Sequence, residues 1–174
     1  MLSIKMKKIS TIDKLEAASI IEEQILFCLK IQLKSIGSHP IRLVQASKSL
    51  IGLNLDQPNI NLINFNYSYL DSFNDALTYK DLNIDQSLNE VISIHDLESA
   101  FLNKNRASVI DVLNQLKLVS SEMHILEYLV ELSLKQTGKS FLIIWSLYKS
   151  ILFLEHKNFN TFINIATDAI LLDD

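Results

Sequence analysis

Residues 106–119 read "RASVIDVLNQLKLV", and the spacing of their apolar side chains decides the fold class. Val109, Val112, Leu113 and Leu116 recur at intervals of three and four residues, which places them on one face of a helix. The stretch therefore predicts an amphipathic helix. No part of the sequence shows the apolar–polar alternation that is typical of a half-buried strand.

Helical spacing continues on both sides of this segment. The chain of 174 residues has only three glycines and two prolines, which leaves little material for the turns of a many-stranded fold. We predict that the first helix is capped by Thr11 and closed by a left-handed Gly37, and that another helix is closed by Gly138. The predicted class is an all-α, multi-helix bundle with further helices at 12–36, 40–53, 59–79, 85–93, 95–103, 121–137, 139–155 and 159–172.

Two segments about a hundred residues apart indicate an internal duplication. "KSLIGL" begins at Lys48 and "KSILFL" begins at Lys149, and sliding the chain by 101 residues also aligns Gly37 with Gly138. A repeated helical unit explains such matches. We predict a single domain over 1–174 with pseudo-two-fold symmetry, in which copies of a three-helix unit at about 11–72 and 106–172 are joined by short helices in 73–105.

The polar residues of the repeated helix predict which side of it faces water. At 100° per residue they form one narrow stripe in each copy, and the rest of the second helix is apolar almost all round. We therefore expect the second helix to be the core element and a binding site to lie beside the first copy. The stripes are Ser38, Gln45, Lys48, Ser49 and Asp56 in one copy and Lys139, Ser146, Lys149, Ser150 and Lys157 in the other.

Charge and apolar run lengths limit the partners. The formal net charge is −4, which disfavours a nucleic-acid partner. The apolar run 141–154 is shorter than the roughly 20 residues that cross a bilayer, which disfavours an integral membrane protein but leaves peripheral membrane association open. Glu22 and Glu23 interrupt the apolar segment after the basic start, so we predict a cytoplasmic protein. Cys28 is expected to be a buried, inert thiol.

The sequence predicts no catalytic residue, no cofactor and no metal site. None of the four histidines lies three or four residues from another, as a one-face helical metal site requires. His124 and Glu127 share a helix face, but a surface contact explains this pair better than a metal. His95 is interpreted as the start of a helix that Ser93 caps.

Four aromatic residues in "NFNYSYLDSF" are candidates for a partner interface. Phe65, Tyr67, Tyr69 and Phe73 cannot all point the same way on one helix, so some of them are expected at the surface. Tyrosine is common in interfaces because it combines a rigid apolar body with a polar tip. Packing of these rings under the bundle is the alternative, and the sequence does not decide between the two.

The stretch "HPIRLVQASKSL" from His39 resembles the His-led helix of the questin-oxidase-like proteins. That family is all-helical, repeats this kind of helix and keeps several histidines along it. Ser140 stands where a repeated His39 would be expected. The resemblance therefore implies shared ancestry more than oxidase activity.

These patterns together favour a non-enzymatic protein over an enzyme. We predict a helical module for protein–protein interaction or assembly, whose partner is another protein or a second copy of the chain. The alternative is a small-molecule-binding or catalytic bundle, with His39, Arg42 and His124 lining a ligand pocket between the two copies.

Overall fold

The computed structural model describes residues 4, 9–74, 79, 92–155 and 157–173, and these contain eight α-helices and no β-strand. The predicted all-α class is confirmed. The predicted helix at 85–93 falls almost wholly outside the described residues. The helices are α1 (Lys14–Lys30), α2 (Ile41–Ile51), α3 (Ile60–Asp71), α4 (Ile94–Leu102), α5 (Arg106–Val119), α6 (Glu122–Lys135), α7 (Phe141–Phe153) and α8 (Phe159–Leu171).

The contacts within the chain divide it into two units. Unit 1 contains residues 1–32 and 38–79, and unit 2 contains residues 33–37 and 80–174. Each unit has its own buried core. The prediction of a single domain stays a prediction.

Unit 1 is built on three helices, each of which contacts the other two. Its apolar core includes Ile25, Ile41 and Ile63, none of which is exposed to solvent. Burial of such side chains contributes about 1.5–3 kcal/mol each and is the main force that holds the helices together. Cys28 is also fully buried, as predicted.

A continuous series of hydrogen bonds crosses the core of unit 1. The side-chain nitrogen of Asn66 donates to Gln24 Oε1 at 3.0 Å, and Ser47 Oγ donates to Asn66 Oδ1 at 2.9 Å. Gln24 in turn donates to the carbonyl of Ile63 at 3.3 Å. The three polar side chains come from α1, α2 and α3 and satisfy one another, so the network aligns the helices without leaving a buried polar group unpaired.

The first helix ends six residues earlier than predicted, at Lys30. Ile31 and Leu33 are buried whereas Gln32 and Lys34 are exposed, which is the two-residue period of an extended segment. The carbonyl of Lys30 accepts the N–H of Tyr79 at 3.3 Å instead of a helical partner. Gly37 therefore does not close a helix and does not adopt a positive φ, in contrast to Gly138, whose φ is 77°.

The third helix is also shorter than predicted and ends at Asp71. Ser72 Oγ donates to the carbonyl of Tyr69 at 2.7 Å, and the side chain of Asn74 donates to Asp71 Oδ1 at 2.7 Å. Short polar side chains that bond locally in this way compete with continuation of a helix. Residues 75–78 of the predicted helix lie outside the described residues.

Unit 2 contains the five helices α4 to α8. The helices α6, α7 and α8 each contact the other two, and α5 packs against α4, α6 and α8. Two predicted helix starts are confirmed, because the carboxylate of Asp96 accepts the N–H of Ser93 at 2.7 Å and Ser121 Oγ accepts the N–H of His124 at 3.2 Å. Among the described residues no helix is long and apolar enough to cross a membrane.

The predicted solvent stripes are partly right. The exposed members are Ser38, Ser49 and Asp56 in the first copy and Lys139, Lys149 and Lys157 in the second. Gln45 in α2 and both Ser146 and Ser150 in α7 are buried. Ser146 Oγ donates to the carbonyl of Leu142 at 2.6 Å, which satisfies the hydroxyl within the helix and lets it face the core. The prediction that α7 is wholly a core element is wrong, since apolar side chains of α7 face solvent.

The internal duplication is not confirmed. Positions 101 residues apart lie on opposite faces of α2 and α7: Ile41, Val44 and Ile51 are buried in α2, whereas their counterparts Leu142, Trp145 and Leu152 are exposed in α7. The match in the sequence at Lys48 and Lys149 therefore does not correspond to a match in the buried faces of the two helices.

Candidate functional site

The outward side of α7 carries an unusual stripe, which we call the α7 face: Leu142, Trp145, Lys149 and Leu152. The three apolar side chains keep 48%, 40% and 47% of their surface exposed. Single exposed apolar residues are ordinary on proteins, but three on one stripe of a helix are a candidate interaction surface. The spacing of three, four and three residues is the one that helices use to pack against another helix.

Ring contacts hold Trp145 in one orientation. Its ring stacks on Phe141 with 6.0 Å between centroids, and on Tyr148 with 5.5 Å between centroids. Lys149 Nζ lies 5.0 Å from the centre of the Trp145 ring, within the range of a cation–π interaction. A large ring that is already fixed loses little conformational freedom when a partner covers it.

Charged side chains of α6 border the α7 face. The hydroxyl of Tyr148 donates to Glu127 Oε1 at 3.4 Å, and both Glu127 and Glu131 are exposed. The short connection between α6 and α7 makes the two helices an antiparallel hairpin. Glu131 lies one turn after Glu127 on α6.

The start of α7 is fixed by the buried carboxylate of Asp173, which follows α8 in the sequence. Asp173 Oδ2 accepts the N–H and the hydroxyl of Ser140 at 2.9 and 2.6 Å, and Asp173 Oδ1 is bonded to the hydroxyl of Thr137. Burial by itself would raise the pKa of Asp173, but the hydrogen bonds from Ser140 and Thr137 lower it below its ordinary value. A carboxylate at this position caps the helix and complements its dipole.

His39, a predicted pocket residue, has both ring nitrogens in use. Nε2 contacts the carbonyl of Ile31 at 3.1 Å, and Nδ1 accepts the N–H of Ile41 at 3.3 Å. These two partners require a neutral ring that carries its proton on Nε2. Burial lowers the pKa of His39 to about 4, although the hydrogen bond to Ile31 acts in the opposite direction. His39 therefore joins the end of α1 to the start of α2.

We expect the pH dependence of stability to change when His39 is replaced by glutamine. The folded-state pKa of about 4 lies below the ordinary value of 6.5, so between these values the unfolded chain binds the proton that the folded chain excludes. Stability is thus lost as the pH falls through this window, by up to about 1.4 kcal/mol per pH unit. Urea unfolding at pH 7 and pH 5 measures this loss in the free energy of unfolding. Between pH 7 and pH 5, H39Q should lose less stability than the unsubstituted chain. An equal loss in both chains would contradict the neutral, buried state of His39.

Arg42 and His124 lie in different surroundings. Arg42 is half-buried on α2, and its charge opposes the increase in the pKa of Tyr69 that burial causes. His124 is exposed, at the mouth of a cleft of about 10 Å³ that also includes Ser120 and Tyr128. That space holds about one water molecule. Because His124 belongs to unit 2 and the other two residues to unit 1, the shared pocket stays a prediction.

The four predicted interface aromatics separate into two groups. Phe65 and Tyr69 on α3 and Phe73 just beyond its end form a row with ring centroids 6.4 and 5.3 Å apart, and Phe65 is exposed. Tyr67 is buried, and a partner cannot reach it without unfolding the helix. Its hydroxyl points to Glu23 Oε2 at 3.4 Å, and burial together with Glu23 raises the pKa of Tyr67 to about 12. The predicted surface therefore reduces to the other three rings.

A wider cleft lies along α1 in unit 1. It has a volume of about 370 Å³, with Glu22, Glu23 and Lys30 at its rim and Phe27 in its wall. Its glutamates and lysine are accessible to water, which is typical of a surface groove. No group of three or more His, Cys, Asp or Glu side chains in the described part of the chain is arranged to hold a metal ion.

The α7 face was missed from the sequence because α7 is apolar on nearly every side. A helix of that composition is expected to be buried, and only the tertiary structure shows which of its apolar side chains are left outside. The 3-4-3 spacing of Leu142, Trp145, Lys149 and Leu152 was the available signal. Comparison of the chain with models of known protein families, with curated proteins and with solved structures finds no match.

Proposed function

We propose that this chain is a non-enzymatic helical module that binds another protein through the α7 face. The observation that carries the proposal is the exposed apolar stripe with Trp145 at its middle. Tryptophan is enriched among the residues that contribute most to protein interfaces, because it loses a large apolar area from water at once. A partner helix laid along the stripe would cover all of it.

The arrangement around His39 supports binding over catalysis. An acid–base or ligand-binding histidine needs a nitrogen that faces the ligand, whereas both nitrogens of His39 bond to the backbone of unit 1. The two hydrogen bonds of His39 do not favour the alternative function predicted from the sequence, a small-molecule or catalytic bundle with a site near His39.

A protein partner fits the α7 face better than a membrane does. Tryptophan and lysine beside leucine would suit a bilayer surface, but the exposed carboxylate of Glu127 accepts a hydrogen bond from Tyr148, which stacks on Trp145. Anionic lipid would repel this carboxylate, whereas a protein can pair it with a basic side chain. A cytoplasmic setting is also part of the proposal.

A common three-helix plan for the two units is part of the proposal. In unit 1 the helices α1, α2 and α3 contact one another pairwise, and in unit 2 the helices α6, α7 and α8 do the same. This supports a duplicated unit in which α2 and α7, when aligned at a spacing of 101 residues, now bury different faces. The resemblance to the questin-oxidase-like proteins is likewise proposed as ancestry alone.

Photo-crosslinking tests the proposal. With p-benzoylphenylalanine in place of Leu152, irradiation in native lysate is expected to yield protein adducts, and L142E in the same chain should reduce them about tenfold, the effect of about 1.4 kcal/mol. The same photoreactive residue at Asp111, exposed on α5, is the control and should give adducts that L142E does not change. Absence of adducts at position 152, with helicity retained by circular dichroism, would reject the proposal.

A further inference from the structure

We infer that the partner of the α7 face is a second copy of this chain, with the two α7 helices antiparallel and centred on Leu147. The inference rests on the proposed function and specifies its partner. It is carried by the symmetry of the stripe and by the positions of Trp145 and Lys149 on it.

The stripe is the same in both directions. Its members lie at −5, −2, +2 and +5 residues from position 147, so an antiparallel copy places Leu142 opposite Leu152 of the other copy and Trp145 opposite Lys149. Antiparallel helices with 3-4 spacing pair their layers in this crossed way. One two-fold axis would therefore join every exposed member of the stripe to a suitable counterpart, as an isologous interface requires.

The charges agree with this register. Within one copy, Lys149 Nζ already lies 5.0 Å from the centre of the Trp145 ring, so the two side chains are compatible with a cation–π contact. In the antiparallel pair each lysine also reaches the ring of the other copy. A lysine is attracted to the face of an aromatic ring. A parallel pair would instead bring the two lysines together.

The size of the stripe predicts a weak dimer. A helix of 13 residues is about 20 Å long and about 10 Å wide, so the strip that it offers falls well below the roughly 800 Å² per partner of a standard interface. We expect a dissociation constant on the order of 10 to 100 µM, with monomer at low concentration and dimer at high concentration.

Sedimentation equilibrium of the full chain from 1 to 300 µM tests the association. The weight-average mass is expected to rise from 19.8 kDa toward twice that value, and both L142E and K149E should hold it at the monomer value. D111N, on the exposed side of α5, is the matched control and should dimerise like the unsubstituted chain. A mass of 19.8 kDa at every concentration would overturn the inference.

The register has its own test, because Cys28 is the only cysteine and is fully buried. A mixture of L142C and L152C chains should be joined by a short bismaleimide, whereas L142C alone should not, since its two thiols would be about 15 Å apart along the helix axis. Preferred joining of L142C to itself would overturn the antiparallel register. A monomeric chain that still gives adducts at position 152 in lysate would remove the second copy as partner and leave the proposed function intact. A monomeric chain that gives no adducts at position 152 would reject both the dimer and the proposed function.

Discussion

Replacing Asn66 with alanine is expected to lower the free energy of unfolding by about 3 kcal/mol, one of the two largest effects predicted here. Asn66 is fully buried and holds Gln24 and Ser47 in one hydrogen-bond network. Alanine would leave the oxygen of Gln24 without its donor and the hydroxyl of Ser47 without its acceptor, at about 1–3 kcal/mol for each unsatisfied group. Urea unfolding followed by circular dichroism measures the loss.

The control for this substitution is Asn61, which lies on the same helix and is exposed. N61A should change the free energy of unfolding by less than about 0.5 kcal/mol. N66D adds a sharper test, because a buried carboxylate has a raised pKa and folds best when it is protonated. Stability of N66D relative to the unsubstituted chain should therefore improve as the pH is lowered from 7 toward 4. Equal losses for N61A and N66A, or no improvement of N66D in acid, would contradict the role of the network.

Replacing Asp173 with asparagine is expected to lower the free energy of unfolding of unit 2 by about 2–3 kcal/mol. The carboxylate caps α7 through Ser140 and Thr137, and hydrogen bonds to a charged group contribute about 1.5–3 kcal/mol each. Asparagine has the same shape as aspartate, but its N–H₂ group would face the hydrogen-bond donors of Ser140 or Thr137 and could not accept from them. Fluorescence of Trp145, the only tryptophan, follows the unfolding of α7.

The pH dependence of the same variant has a definite sign. Because the folded-state pKa of Asp173 lies below its ordinary value, the stabilisation is complete above the ordinary value of about 3.8 and is lost as the pH falls through the folded-state pKa. The difference between D173N and the unsubstituted chain should therefore shrink in acid. D56N, on an exposed turn of unit 1, removes the same charge and should cause almost no loss. A similar loss for D56N and D173N would show that charge, and not the cap, matters.

Much of the helical structure could be predicted from particular residues. The 3.6-residue period of "RASVIDVLNQLKLV" predicted α5 with the bounds that the structure has, and the polar residues Asn59, Ser93 and Ser121 marked the starts of α3, α4 and α6. These features are local, because a cap bonds to backbone groups within its own turn. The ends of α1 and α3 were harder, since α1 stops where Lys30 and Ile31 find partners outside the helix.

The candidate site could not be predicted in the same way. His39 was expected in a pocket, but whether an imidazole serves a ligand or the backbone depends on the atoms around it, and these come from residues 31 and 41. The same holds for Tyr67: its sequence segment left open whether the ring lies at the surface or under the bundle, and the packing of α3 buries it.

The sequence by itself determined the all-helical class, the position of most helices and the caps of α4 and α6, because these depend on interactions within a few residues. The predicted cap of α1 at Thr11 is wrong, because Asp13 accepts the N–H of Glu16 at 2.9 Å and begins the helix. The tertiary structure alone decided which side of α7 is buried. That helix has apolar residues on nearly all sides, so its own sequence expresses no preference, and the contacts with α6 and α8 choose the face. The stripe of Leu142, Trp145, Lys149 and Leu152 is what those contacts leave exposed, and it is the surface to which the proposed function is assigned.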